Sequence, residues 1–190
     1  MSGPPTRLIV CVDGESNTAG TNKNKPALTS IQRINASIAR GNCTSSSTGQ
    51  TFNQHVVYLP GVGNADDTFS KDRLLGGQVY IKQIQEVYES CSRLNGSRDE
   101  VWLFGFSRGA YVVRAVAGLL HTHGGIASAG EPEFARDFKK LMKDADKGGS
   151  TASLVLSPVS RSRYGSLHCS DHQLGEYQIV QHIRQHKAAA

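Results

Sequence analysis

The stretch that most limits what this chain can fold into is Val101-Trp102-Leu103-Phe104-Gly105-Phe106-Ser107-Arg108-Gly109-Ala110, followed by a nearly uninterrupted apolar run to Leu120. Val101 to Phe106 is β-branched and aromatic, as in a strand buried on both faces. Gly109 to Leu120 is apolar almost all round, as in a helix sunk in a core. The GxSxG between them is a short pattern, but at a strand-to-helix junction it becomes specific. The turn is sharp enough to force Ser107 into a strained backbone conformation. The residues two positions either side then approach each other, and Gly105 and Gly109 leave the room. The Ser107 hydroxyl is expected at the C-terminal edge of a sheet and at a helix N-terminus. The Arg108 backbone N–H would face an oxyanion formed on a substrate carbonyl. The plainer alternative is a strand-turn-helix carrying a serine by coincidence, and the context favours the elbow.

The rest of the chain repeats the alternation. Arg7 to Val12 reads as a parallel strand ending at Asp13-Gly14. Ile31, Ile34 and Ile38 fall at helical spacing, with Thr29 or Ser30 as N-cap and Gly41 as the stop. Thr44 to Thr51 reads as a Ser/Thr-rich loop, and Val56 to Leu59 as a second strand. A helix runs from Val79 with Tyr80, Ile84, Val87, Cys91 and Leu94 on one face, closed by Asn95-Gly96. Pro132 can open a further helix at its first position. Strand alternating with helix argues for an α/β fold, three or four mostly parallel strands with helices on both faces. Residues 1–147 form the expected domain. Residues 148–190 read as linker and a poorly ordered tail, with Leu154 to Leu156 as a short strand and Leu174, Tyr177, Val180 and Ile183 as a weak helix.

Composition excludes several classes. The chain has 190 residues and 38% hydrophobic content, enough for one core. No apolar run nears the roughly 20 residues that span a bilayer, so no transmembrane segment is expected. The apolar start is too short for a secretory signal, which points to the cytoplasm. Net charge is +5 with no basic block, so nucleic-acid binding is not expected. Cys11, Cys43, Cys91 and Cys169 show no paired spacing, and Cys11 and Cys91 read as small buried hydrophobes. His168/His172 and His182/His186 are spaced i, i+4, but two ligands without a third make a poor metal site. Neither metal nor cofactor is expected.

An elbow needs a second oxyanion donor from the loop after another strand. Asp13-Gly14-Glu15 is the candidate, with Gly14 letting the backbone approach substrate. Alternatively, Asp13 caps its own turn or pairs with Arg108, and the sequence leaves both open. Gly61-Val62-Gly63 reads first as a simple loop and second as a pocket wall or a phosphate contact, though it lacks the GK(S/T) of a Walker A pattern.

The segment from Arg7 to Gly14, with Asn17 after it, resembles the opening of the DUF2235 family. These are α/β-hydrolase-like proteins related to the catalytic domain of type VI secretion phospholipase effectors (Tle1-like). The family pattern is close to DGTWN, and Glu15 and Ser16 replace its middle residues here. Tyr58-Leu59-Pro60-Gly61-Val62-Gly63 is similar to a second family motif. Asp99 to Tyr111 is similar to a third nearly residue for residue, with Arg114, Ala117, Gly118 and Leu119 continuing it. The resemblance covers about residues 7–126. It implies a serine hydrolase acting on esters, possibly phospholipids, with Ser107 as nucleophile, Arg108 and Gly14 amides as oxyanion hole, and Asp13, Asn17, Gly61 and Gly63 near the pocket.

The family's later motifs, a WDTV-like strand end and an HxDxGGGY-like segment carrying the triad acid and histidine, do not occur here. His121 and His123 fall about 20 Å along the elbow helix from Ser107. Asp171 adjoins His172 and is badly placed to orient it. The expectation is a chain cut short, with sheet edge left for a protein partner to cover. The alternative function is therefore a catalytically incomplete module that binds a ligand or partner in the same cleft.

Overall fold

A computed structural model describes residues 3–14, 28–61, 78–94, 98–147, 164–165 and 178–185. In chain order the elements are β1 (Thr6–Val12), α1 (Ser30–Ser37), β2 (Gly41–Thr44), β3 (Thr51–Leu59), α2 (Gln78–Ser92), β4 (Glu100–Phe106), α3 (Arg108–His123), α4 (Phe134–Lys147), β5 (Tyr164–Gly165) and β6 (Gln178–Gln185). The strands form one sheet in the order β2-β3-β1-β4-β6-β5. Its centre, β3-β1-β4, is parallel, and β2, β6 and β5 each pair antiparallel.

The alternation of β1 sets the layers. Leu8, Val10 and Val12 point into a core built with α2, α3 and α4. Ile9 and Cys11 point into a second, with Ile31 of α1 at its centre. Helices therefore cover both faces, as the strand–helix alternation predicts. The main core is filled by Val87 and Tyr88 of α2, Val112, Val113 and Val116 of α3, and Phe138 of α4. Tyr88 packs its ring against Phe134 and Phe138, with centroids 6.5 and 5.8 Å away. Arg7 bonds the buried carboxylate of Glu100 at 2.9 Å and lays its guanidinium over Phe52, which seals the opposite end of the sheet.

The four helices expected before residue 148 are present with shifted ends. Thr29 is the N-cap of α1 and forms a capping box with Gln32. Such a cap stabilises a helix by about 1 kcal/mol. α1 stops at Ser37, and Gly41 opens β2 at φ 83. α4 begins two residues beyond Pro132. The Ser/Thr-rich segment after Gly41 is a hairpin whose arms are β2 and β3.

One expectation is overturned. Val180 and Ile183 do not form a helix with Leu174 and Tyr177; they belong to β6, which pairs with the whole of β4. The free edge of β4 offers a full row of backbone donors and acceptors, and Ile179-Val180 and Ile183 suit a strand. The strand read at Leu154 to Leu156 lies outside the described residues.

Candidate active site

β4 ends at Phe106 and α3 begins at Arg108, so Ser107 alone makes the turn. It has φ 52 and ψ −119, the only positive φ at a non-glycine among the described residues. Holding an L-residue there costs about 1–3 kcal/mol, which the surroundings must impose. Its side chain makes no capping bond to the helix and is exposed. The hydroxyl is thus presented outward rather than used by the fold.

Backbone contact enforces the turn. A Cβ on Gly105 would lie 2.6 Å from the Gly109 oxygen and 2.7 Å from Ala110 Cα. A Cβ on Gly109 would lie 2.7 Å from the Asp13 oxygen and collide with that of Val12. α3 therefore crosses directly over the end of β1. These neighbours are main chain and cannot swing aside, so both positions accept only glycine.

The end of β1 is tied down by a buried carboxylate. Asp13 is 1% exposed. Its Oδ1 accepts from the Gly14 N–H at 2.8 Å. Its Oδ2 accepts from Thr29 Oγ1 at 2.7 Å and from the Tyr58 hydroxyl at 3.0 Å. Gln32 Nε2 donates to the same phenol oxygen at 3.3 Å. One side chain thus joins the end of β1, the start of α1 and the end of β3. Burial pushes the Tyr58 phenol up to about 12; the Gln32 hydrogen bond opposes this and the Asp13 charge adds to it. Burial likewise pushes the Cys11 thiol up to about 11, with Arg40 opposing and Asp13 adding. Cys11 therefore stays a protonated core residue, not a competing nucleophile.

Of the two roles left open for Asp13, its side chain performs the cap on its own turn. Gly14 lies against the elbow: a Cβ there would sit 2.8 Å from the Phe106 ring and 3.1 Å from Ser107 Cβ. Its N–H, the expected second oxyanion donor, is given to Asp13. Gly61 is buried just past β3. Asn17 and Gly63 lie outside the described residues.

The topology marks the same place. β1 and β4 are neighbours, yet α1, which follows β1, packs on one face and α3, which follows β4, on the other. In an open α/β sheet, ligands bind beyond the strand ends where the connections part in this way. Asp13-Gly14 and Ser107 flank that crevice.

The described histidines stand elsewhere. His55 is paired with Leu8, well before the end of β3. His121 and His123 close α3. His182 is opposite Trp102, four residues back along β4. His168, His172 and His186 lie outside the described residues, although the strand that follows the first two, β6, starts at Gln178 beside Phe106. Among the described residues no group of His, Cys, Asp and Glu could hold a metal ion.

A family model for the T6SS phospholipase effector Tle1-like catalytic domain matches residues 6–172. The chain belongs to that family. No curated protein and no solved structure matches it. In this Tle1-like catalytic domain the match takes in both sides of the crevice and runs past residue 126 to include His168 and His172. No helix among the described residues is long and apolar enough to cross a membrane.

Sequence reasoning missed Thr29 and Tyr58 as partners of Asp13, and Gln32 as the residue that bonds both of them. Thr29 and Gln32 carry a legible signal, the S/T-x-x-E/Q capping box. Tyr58 carries none beyond its position at a strand end.

Proposed function

We propose that this Tle1-like domain is a serine hydrolase that cleaves ester bonds of phospholipids, with Ser107 as nucleophile. The observation that carries the reading is the backbone of Ser107: a strained, exposed serine at a helix start, facing the crevice where the sheet's connections part. Ser107 Oγ attacks the ester carbonyl and its proton passes to an imidazole base. The carbonyl oxygen takes up the negative charge, and the Arg108 N–H at the start of α3 donates to it, aided by the positive end of the helix. The C–O bond then breaks, the alcohol leaves with the proton, and water releases the acyl group from Ser107 as the acid. The Gly14 N–H joins the oxyanion hole when Asp13 releases it. Gly61, just past the end of β3, walls the approach.

The test is release of fatty acid from phospholipid in mixed micelles, compared with Ser107→Ala. The reading requires release that the substitution reduces by about 10³-fold or more. Equal release from both proteins would end it. A second reading, a cleft that binds its ligand without turning it over, is favoured by the distance of the described histidines from Ser107. Under that reading neither protein releases fatty acid. His168→Ala and His172→Ala test the two histidines whose chain re-enters the sheet beside the elbow.

A further inference from the structure

We infer that the crevice edge around Ser107 is also the face by which the protein seats on a phospholipid bilayer. The inference rests on the lipid-ester reading above for its choice of partner. Three large hydrophobic side chains are exposed among the described residues: Leu28 at 50%, Ile81 at 42% and Tyr111 at 48%. Scattered singly, such residues need no explanation. Here all three occupy one edge.

The reason lies in the topology. β1, β3 and β4 are parallel, so the helices that follow them all start at the same edge. Leu28 immediately precedes Thr29, whose hydroxyl is bonded to Asp13. Ile81 is in the first turn of α2, and Gln83 of that helix donates to the Pro60 carbonyl just past β3 at 2.9 Å. Tyr111 is one turn beyond Ser107, on the same side of α3. It meets Tyr80 of α2 edge to face, with centroids 6.2 Å apart. The exposed apolar groups thus stand at three helix starts on the edge that carries the serine, as does exposed Arg108.

A bilayer surface fits this pattern. Leucine and isoleucine can enter the boundary between headgroups and acyl chains. Tyrosine prefers that boundary, with its ring in the apolar part and its hydroxyl in the wet part. Seating would bring the ester carbonyls of the lipid to Ser107 without drawing a whole lipid molecule into water.

The test is co-sedimentation with phosphatidylcholine vesicles, using the Ser107→Ala protein so that catalysis plays no part. Ser107→Ala should pellet with the vesicles in both low and high salt. Adding Leu28→Ser, Ile81→Ser and Tyr111→Ser should weaken partitioning by about tenfold or more. Circular dichroism checks the folding of each variant. Leu28→Ser alone, outside any helix, should give a smaller loss in the same direction. Equal partitioning of all variants, binding abolished by salt, or no binding would each overturn the inference. So would a dimer broken by the same substitutions without vesicle binding, because the occupant would then be a second copy. Labelling of Ser107 by a fluorophosphonate without lipid reads the hydrolase proposal separately, so either idea can fail alone.

Discussion

Replacing Ser107 by glycine should make the protein more stable. Ser107 holds φ 52 and ψ −119. An L-residue in such a region costs about 1–3 kcal/mol, and glycine avoids most of that cost. Glycine loses about 0.5–1 kcal/mol through the extra freedom of its unfolded chain. The side chain is exposed and makes no capping bond, so its removal takes away no buried contact. The net gain for Ser107→Gly is about 1 kcal/mol, or about 2–4 °C in Tm for a domain of this size. Ser107→Ala keeps the Cβ and therefore the strain, and should melt with the native protein. Thermal unfolding followed by circular dichroism, backed by urea titration, compares the three proteins. A glycine variant no more stable than the alanine variant would refute the claim that the elbow is strained. If the prediction holds, the serine is kept at the expense of stability, as expected of a functional residue.

Gly109→Ala should destabilise by about 3 kcal/mol, since its Cβ would press on the carbonyls of Val12 and Asp13, and overpacking against main chain cannot relax; a urea midpoint within error of the native one contradicts this. Asp13→Ala should cost about 2–4 kcal/mol in denaturant titration, because the Tyr58 and Thr29 hydroxyls and the Gly14 N–H all lose their acceptor. Tyr58 gives a pH signature. Its phenol is raised to about 12, so the folded state favours the protonated form. That contribution is complete below the ordinary phenol pKa of about 10 and is lost as pH rises from there towards 12. Tm should fall across that window, and the fall should be smaller in Tyr58→Phe.

The strand-to-helix junction at Ser107 was legible because it combines three local signals: an apolar β-branched run, glycines at fixed offsets and an apolar helix. β1 and the parallel centre of the sheet were legible for the same reason, since strands buried on both faces read as continuous apolar runs. The edge strands were not. β2, Gly41–Thr44, is polar and largely exposed, and its strand state comes from pairing with β3 rather than from its own residues. β6 is hidden because Val180 and Ile183 continue a helical spacing from Leu174 and Tyr177; the edge of β4, with which it pairs, decides otherwise. The anchoring of Asp13 was equally hidden. Thr29 and Tyr58 lie far from it along the chain; the parallel pairing of β1 with β3 brings in Tyr58, and the packing of α1 on β1 brings in Thr29. The exposed residues around the crevice look unremarkable in sequence, because nothing local says that three helix starts share one edge.

The central claim is that Ser107 is an activated nucleophile, and labelling by a fluorophosphonate probe tests it most directly. Such a probe reacts with a serine only in a folded site that supplies a base and an oxyanion hole. Mass spectrometry of the digested protein should find the adduct on Ser107 and nowhere else, and Ser107→Ala should take up none. A folded protein, verified by circular dichroism, that remains unlabelled would contradict the account and leave the elbow as a binding scaffold.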